Sequence, residues 1–81
     1  MNFKPEKYKS GKLSDKRWLS ENNSGEYYTI SKFTFDQKIS SYVKPYYIAY
    51  KYPGGYHIDD GLHHSTLNKA IKACENHSKY N

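Results

Sequence analysis

The sequence has a single cysteine, Cys74, among 81 residues. That excludes an internal disulfide framework and suits a reducing, cytoplasmic compartment. No apolar run approaches the ~20 residues of a membrane span. Met1-Asn2-Phe3-Lys4-Pro5 offers no apolar stretch of the kind a signal peptide needs, so no membrane role is expected. Aliphatic residues are scarce: 36% of the chain is hydrophobic and its mean hydropathy is −1.07. Such a chain supports one domain with one modest core. Catalytic signatures are missing as well, with no G-x-S-x-G, P-loop, G-x-G-x-x-G or H-E-x-x-H. The expectation is a non-enzymatic protein without a cofactor.

Tyrosine fills the space that aliphatics leave. Ten tyrosines, three phenylalanines and one tryptophan supply most of the buriable surface, each ring burying on the order of 150–250 Å². Charge is unevenly spread. Residues 1–17 hold Lys4, Lys7, Lys9, Lys12, Lys16 and Arg17 against Glu6 and Asp15, which is +4 of the formal +5. Residues 1–14 are also polar and broken by Pro5 and Gly11. They are expected to form a flexible basic arm on a single domain spanning residues 15–81. Such an arm attracts phosphates or acidic protein surfaces.

Tyr46-Tyr47-Ile48-Ala49-Tyr50-Lys51-Tyr52 is aromatic and β-branched enough for a strand. Pro53-Gly54-Gly55 turns it, and Tyr56 to Asp59 returns as its partner. Glu26 to Phe35 reads as a further strand. Tyr28 and Ile30 share one face of it and Phe33 and Phe35 the other, which calls for a bulge near Ser31-Lys32 or a strand covered on both sides. Asn22-Asn23-Ser24-Gly25 is a turn that makes Lys16 to Ser20 a first strand, preferred over a short helix capped by Ser14. Asp36 to Lys44 reads as a loop. Leu67, Ala70, Ile71 and Cys74 recur at i, i+3, i+4 and i+7, so a helix follows Ser65 or Thr66 as cap. The fold class is α+β: a three- or four-stranded antiparallel sheet with one C-terminal helix on a face.

Histidines and acids gather at His57-Ile58-Asp59-Asp60, His63-His64 and Cys74 with His77. The spacings match no paired zinc-ligand pattern, and Cys74 falls on the apolar stripe of the helix, so no metal is expected. Aromatics interleaved with cations are the better lead. If Ile48 and Ile58 face the helix, Tyr47, Ala49, Lys51 and His57 face away. The candidate binding residues are therefore Lys4, Lys7, Lys9, Lys12, Lys16, Arg17, Tyr47, Lys51 and His57. An exposed surface of that kind suits base stacking with phosphate contact and equally suits protein hot spots.

Tyr47-x-Ala49, the glycine turn, Gly61-Leu62 and Leu67-x-x-Ala70 resemble the pattern of three-stranded-sheet-plus-helix DNA modules such as the integrase arm-binding domains. The likeness covers residues 26–78 and implies a sheet laid in the major groove. Those modules carry several arginines on exposed strands. Here Arg17 stands outside the stretch, and no base-contact residue is carried over. From the arm and the Tyr/Lys face the first expectation is a DNA or RNA partner, and the alternative is a host protein that handles nucleic acid. The second would make the chain a phage-type inhibitor of the anti-CRISPR or anti-restriction class, in keeping with a small chain rich in Lys, Asn, Ile and Tyr.

Overall fold

The structure is a computed structural model and describes residues 1–80. Five strands follow one another as an antiparallel meander: β1 (Phe3–Lys7), β2 (Leu13–Ser20), β3 (Tyr27–Asp36), β4 (Ser41–Tyr52) and β5 (Tyr56–His57). One helix, α1 (Leu67–Tyr80), comes after them. Turn chemistry accounts for the meander. Between β2 and β3 the Gly25 N–H donates to Asn22 Oδ1 at 2.8 Å, and Ser24 and Gly25 take φ of 57° and 88°, as an Asn/Ser/Gly tract allows. Between β4 and β5, Gly54 and Gly55 take φ of 102° and 62°. A Cβ at Gly55 would lie 3.2 Å from the Tyr52 ring.

Residues paired across antiparallel strands project to the same side. One row of the sheet runs Pro5–Trp18–Ile30–Ala49, and the next includes Tyr28–Lys51–Tyr56. Helix α1 lies on this side. Ile30, Ala49, Ala70 and Cys74 are fully buried there and Tyr28 nearly so, with Phe3, Trp18, Tyr47, Ile58, Leu67 and Ile71 packed around them. The alanines on both elements leave room for the helix to come close to the strands. Thr66 caps the helix, its Oγ1 accepting from the Lys69 N–H at 3.1 Å, and His77 and Lys79 sit in the last turn, where the dipole favours cations.

The sheet has five strands, where three or four were expected, because residues 1–14 are not a free arm. Phe3, Lys4 and Pro5 pair with Ser20, Leu19 and Trp18, which lets Phe3 cover the edge of the core. The Met1 ammonium lies 3.0 Å from a Glu75 carboxylate oxygen. The expected loop at Asp36–Lys44 is instead the tip of a long hairpin: β3 ends at Asp36, β4 begins at Ser41, and Asp36 pairs with Ser41. The register shift lies between the Phe33–Tyr46 and Phe35–Tyr42 pairs. Val43, Lys44 and Pro45 of β4 stand opposite the single Thr34 of β3, an irregularity in which a proline without an N–H is tolerated. The return strand after the glycine turn is short, Tyr56–His57, and not continued to Asp59.

Candidate functional site

The side of the sheet away from α1 has no second layer among the described residues. A row of side chains, Lys4–Leu19–Thr29–Tyr50–His57, crosses all five strands there, and Arg17–Ser31–Ile48 forms the row beside it. Along the β3–β4 hairpin the same side carries a ladder of ring pairs. Tyr27 and Tyr52 stack at 5.1 Å and 5°, Phe33 and Tyr46 at 5.4 Å and 17°, and Phe35 meets Tyr42 edge-on at 5.2 Å. His57 leans on Tyr50 at 4.9 Å, and His63 stacks on Tyr46 at 4.0 Å. Half of the aromatic rings of the chain lie on this uncovered face. The two stacked pairs each spend one π face of both rings on the partner strand.

Arg17 sits among these rings. Its guanidinium reaches Glu6 at 3.4 Å and donates to the Tyr52 hydroxyl at 3.5 Å. Arg17 Nε and Thr29 Oγ1, buried in the floor of the face, have no hydrogen-bond partner among the described residues. Burial pushes the Tyr50 hydroxyl above its ordinary pKa, and Tyr52 and Tyr46 add to that while Arg17 opposes it. Tyr50 therefore stays protonated and able to donate.

The residues singled out in the sequence are divided between surfaces. Lys4, Arg17 and His57 lie on the uncovered face. Lys7 ends β1, and Lys9 and Lys12 stand exposed in the β1–β2 turn, where the Tyr8 N–H donates to the Lys12 carbonyl at 2.8 Å. Lys16 is exposed on the strand position that alternates with Arg17. Tyr47 and Lys51 are corrected: they face the helix, because Ala49 and not Ile48 points into the core. Tyr47 packs 5.9 Å from Trp18. Lys51 reaches Glu26 at 3.4 Å and the Tyr28 hydroxyl at 3.5 Å, with its ammonium 4.5 Å from the centre of the Tyr28 ring. Burial works against the Lys51 charge, but the Tyr28 and Glu26 contacts outweigh it and raise its pKa. The rungs formed by Tyr27, Phe33, Tyr46 and His63 were missed in the sequence. The readable signal was parity, since residues 42, 46, 50 and 52 of β4 are all tyrosine.

The His/Asp/Cys cluster is structural in its geometry. His64 Nε2 lies 2.6 Å from Asp59 Oδ2 and closes the loop before α1, while Tyr47 and His64 exchange backbone hydrogen bonds. His77 Nδ1 pairs with the Tyr28 hydroxyl at 2.8 Å. Burial, then Asp59 and Glu75, pushes the Cys74 thiol up to about 12, the opposite of an activated nucleophile. Among the described residues no group of three or more His, Cys, Asp or Glu is placed to hold a metal ion, and no helix is long and apolar enough to cross a membrane. No protein-family model, curated protein or solved structure matches the chain.

Proposed function

We propose that this chain is a non-enzymatic docking protein that grips another protein with the uncovered face of its sheet, as an inhibitor of a protein that handles nucleic acid. The observation that carries this reading is the sorting of side chains. Half of the rings and the one arginine share the uncovered face, while of the lysines singled out in the sequence only Lys4 joins them there. Tyrosine and arginine dominate protein hot spots, and lysine is depleted from interfaces. The strands hold 5, 8, 10, 12 and 2 residues, which at about 3.3 Å per residue and 4.8 Å between strands present roughly 600 Å², about three-quarters of the ~800 Å² per partner of a standard interface. Base stacking needs free ring faces, and each stacked pair occupies one face of both its rings.

A second reading, direct binding of DNA or RNA, is favoured by one observation. Lys7, Lys9 and Lys12 gather at the β1–β2 turn, and none of them joins an ion pair with a described residue. On a partner that already holds nucleic acid, these lysines suit its phosphates.

The test is capture from nuclease-treated bacterial extract, followed by titration of the purified partner. A protein partner should survive nuclease. Tyr46→Ser with Tyr50→Ser should weaken its binding at least ~30-fold, as loss of a hot spot of about 2 kcal/mol does. A gel shift of free DNA or RNA that weakens steeply with salt, and disappears when Lys7, Lys9 and Lys12 are changed to Glu, would replace this reading with the second.

A further inference from the structure

The distal half of the β3–β4 hairpin stands apart from the rest of the sheet. β2 pairs with β3 only at Thr29, Ile30 and Ser31, and on the other side of β4 the last partner is the His64 backbone at Tyr47. From Lys32 to Tyr46 the chain is therefore a two-stranded ribbon paired with itself. A ribbon of this kind is marginal in water unless something packs on it. Its tip nevertheless exposes large apolar groups: Phe35 at 42%, Ile39 at 63% and Tyr42 at 80%. Beside them an open cleft of about 420 Å³ is lined by Phe33, Phe35, Lys38 and Tyr46, among others. Apolar side chains gathered on a projecting tip and rimmed by charge mark an interaction site. Ribbon charge is one-sided, with Lys32, Lys38 and Lys44 against Asp36.

Resting on the protein-docking reading above, we infer that the ribbon tip is its anchor, inserting Ile39 and Tyr42 into an apolar pocket of a partner protein whose rim is acidic. The lysines on the ribbon supply the complementarity that orients the encounter, and the apolar tip supplies the slow dissociation. Duplex nucleic acid is the other occupant a two-stranded ribbon fits, in the major groove. It is disfavoured because the most exposed tip side chains are a branched aliphatic and two rings, and the ribbon carries no arginine to read guanine.

A photo-crosslinking amino acid in place of Tyr42, and separately in place of Tyr27, tests the inference in bacterial extract. The crosslinked protein is then purified and titrated with the full chain. The expected result is a nuclease-resistant protein adduct from position 42. Ile39→Ser with Tyr42→Ser should then keep the wild-type melting midpoint and weaken binding about 100-fold through faster dissociation. Lys38→Glu with Lys44→Glu should slow association about tenfold at low salt and little at high salt. An adduct from position 27 but none from 42, or tip variants with wild-type affinity while Tyr50→Ser weakens binding, overturns the anchor and leaves the docking face standing. No protein adduct at either position overturns both. An adduct at 42 that nuclease removes assigns the ribbon to nucleic acid and overturns the inference.

Discussion

The two faces of this sheet bury their side chains in different ways. On the helix side, small residues do the sealing: Ala49, Ala70 and Cys74 are fully buried around Ile30 because a second layer sits directly on them. On the other side rings shield one another in cross-strand pairs, and most of them stay half-buried with an edge in water. A chain poor in aliphatics has only enough apolar volume for one close-packed layer. The remaining aromatic surface is stable without a cover, yet stays available to a partner. The first face should accordingly answer to stability measurements and the second to binding.

The largest effect should come from Ile30→Ala. Ile30 is fully buried at the centre of the core row, so truncation leaves a cavity that α1 and β3 cannot both close. A loss of about 4 kcal/mol is expected in denaturant unfolding, much of the 5–15 kcal/mol that small domains possess. Tyr27→Ser on the uncovered face should cost about 1 kcal/mol, the scale of one cross-strand pair. Equal losses at the two positions would break the comparison and make the ring ladder a second core.

The fold was legible where one signal decided it. The spacing of Leu67, Ala70, Ile71 and Cys74 located the helix face, and Pro53-Gly54-Gly55 and Asn22 to Gly25 located turns by their backbone demands. β1 was not legible, because Phe3 is its one large apolar residue and Pro5 with flanking lysines reads as an arm. Its pairing is decided by the exposed edge of β2, a tertiary cause. The uncovered face was misread at one residue. Hydrophobicity puts Ile48 inward, whereas the close approach of α1 requires the smaller Ala49 there. That single choice of parity sends Tyr47 and Lys51 to the helix side and Tyr46, Tyr50 and Tyr52 to the open side. Tyrosine and lysine adjacent in sequence are thereby separated in space.

Deleting residues 1–12 is the next largest perturbation. It removes β1, the half-buried Phe3 and the Met1–Glu75 ion pair, and bares one edge of β2 beside Trp18. A loss of about 2 kcal/mol is expected, with Trp18 fluorescence shifted to the red in the folded state. An unchanged melting midpoint would return these residues to the role of an arm and shrink the uncovered face to four strands.

One chemical change made on both faces sharpens the contrast. Tyr28→Phe strips the hydroxyl that pairs with His77 Nδ1 at 2.8 Å and accepts from Lys51. A loss of about 1 kcal/mol follows, since a half-buried ring nitrogen is left without its partner. Tyr50→Phe removes a hydroxyl from the uncovered face and should leave stability within about 0.5 kcal/mol, its cost showing in partner affinity instead. Matching losses in unfolding experiments would mean that both hydroxyls are structural.

The smallest effect, up to pH 9.5, is a pH dependence carried by Cys74 on the covered face. Burial, with Asp59 and Glu75 adding to it, holds the Cys74 thiol at about 12 against an ordinary value of 9.0. The unfolded chain therefore releases this proton first. As the pH climbs from 9.0 towards 12, the unfolded state is favoured by proton release that the folded state resists. The contribution to stability is fully present below 9.0 and is lost through that window, with a slope of at most about 1.4 kcal/mol per pH unit. At pH 9.5 the loss is under about 1 kcal/mol. Cys74→Ala has its own constant packing cost, so the informative quantity is the change of its difference from wild type with pH. Melting measured from pH 7 to 9.5, below the ordinary tyrosine value of 10.0 from which Tyr50 on the other face is raised, should show wild type falling towards the variant above pH 9. A thiol reagent at pH 8 should label Cys74 only after denaturation. A difference that stays flat with pH, together with rapid labelling of the native protein, would mean that α1 opens readily and that the sealed face is no more closed than the other.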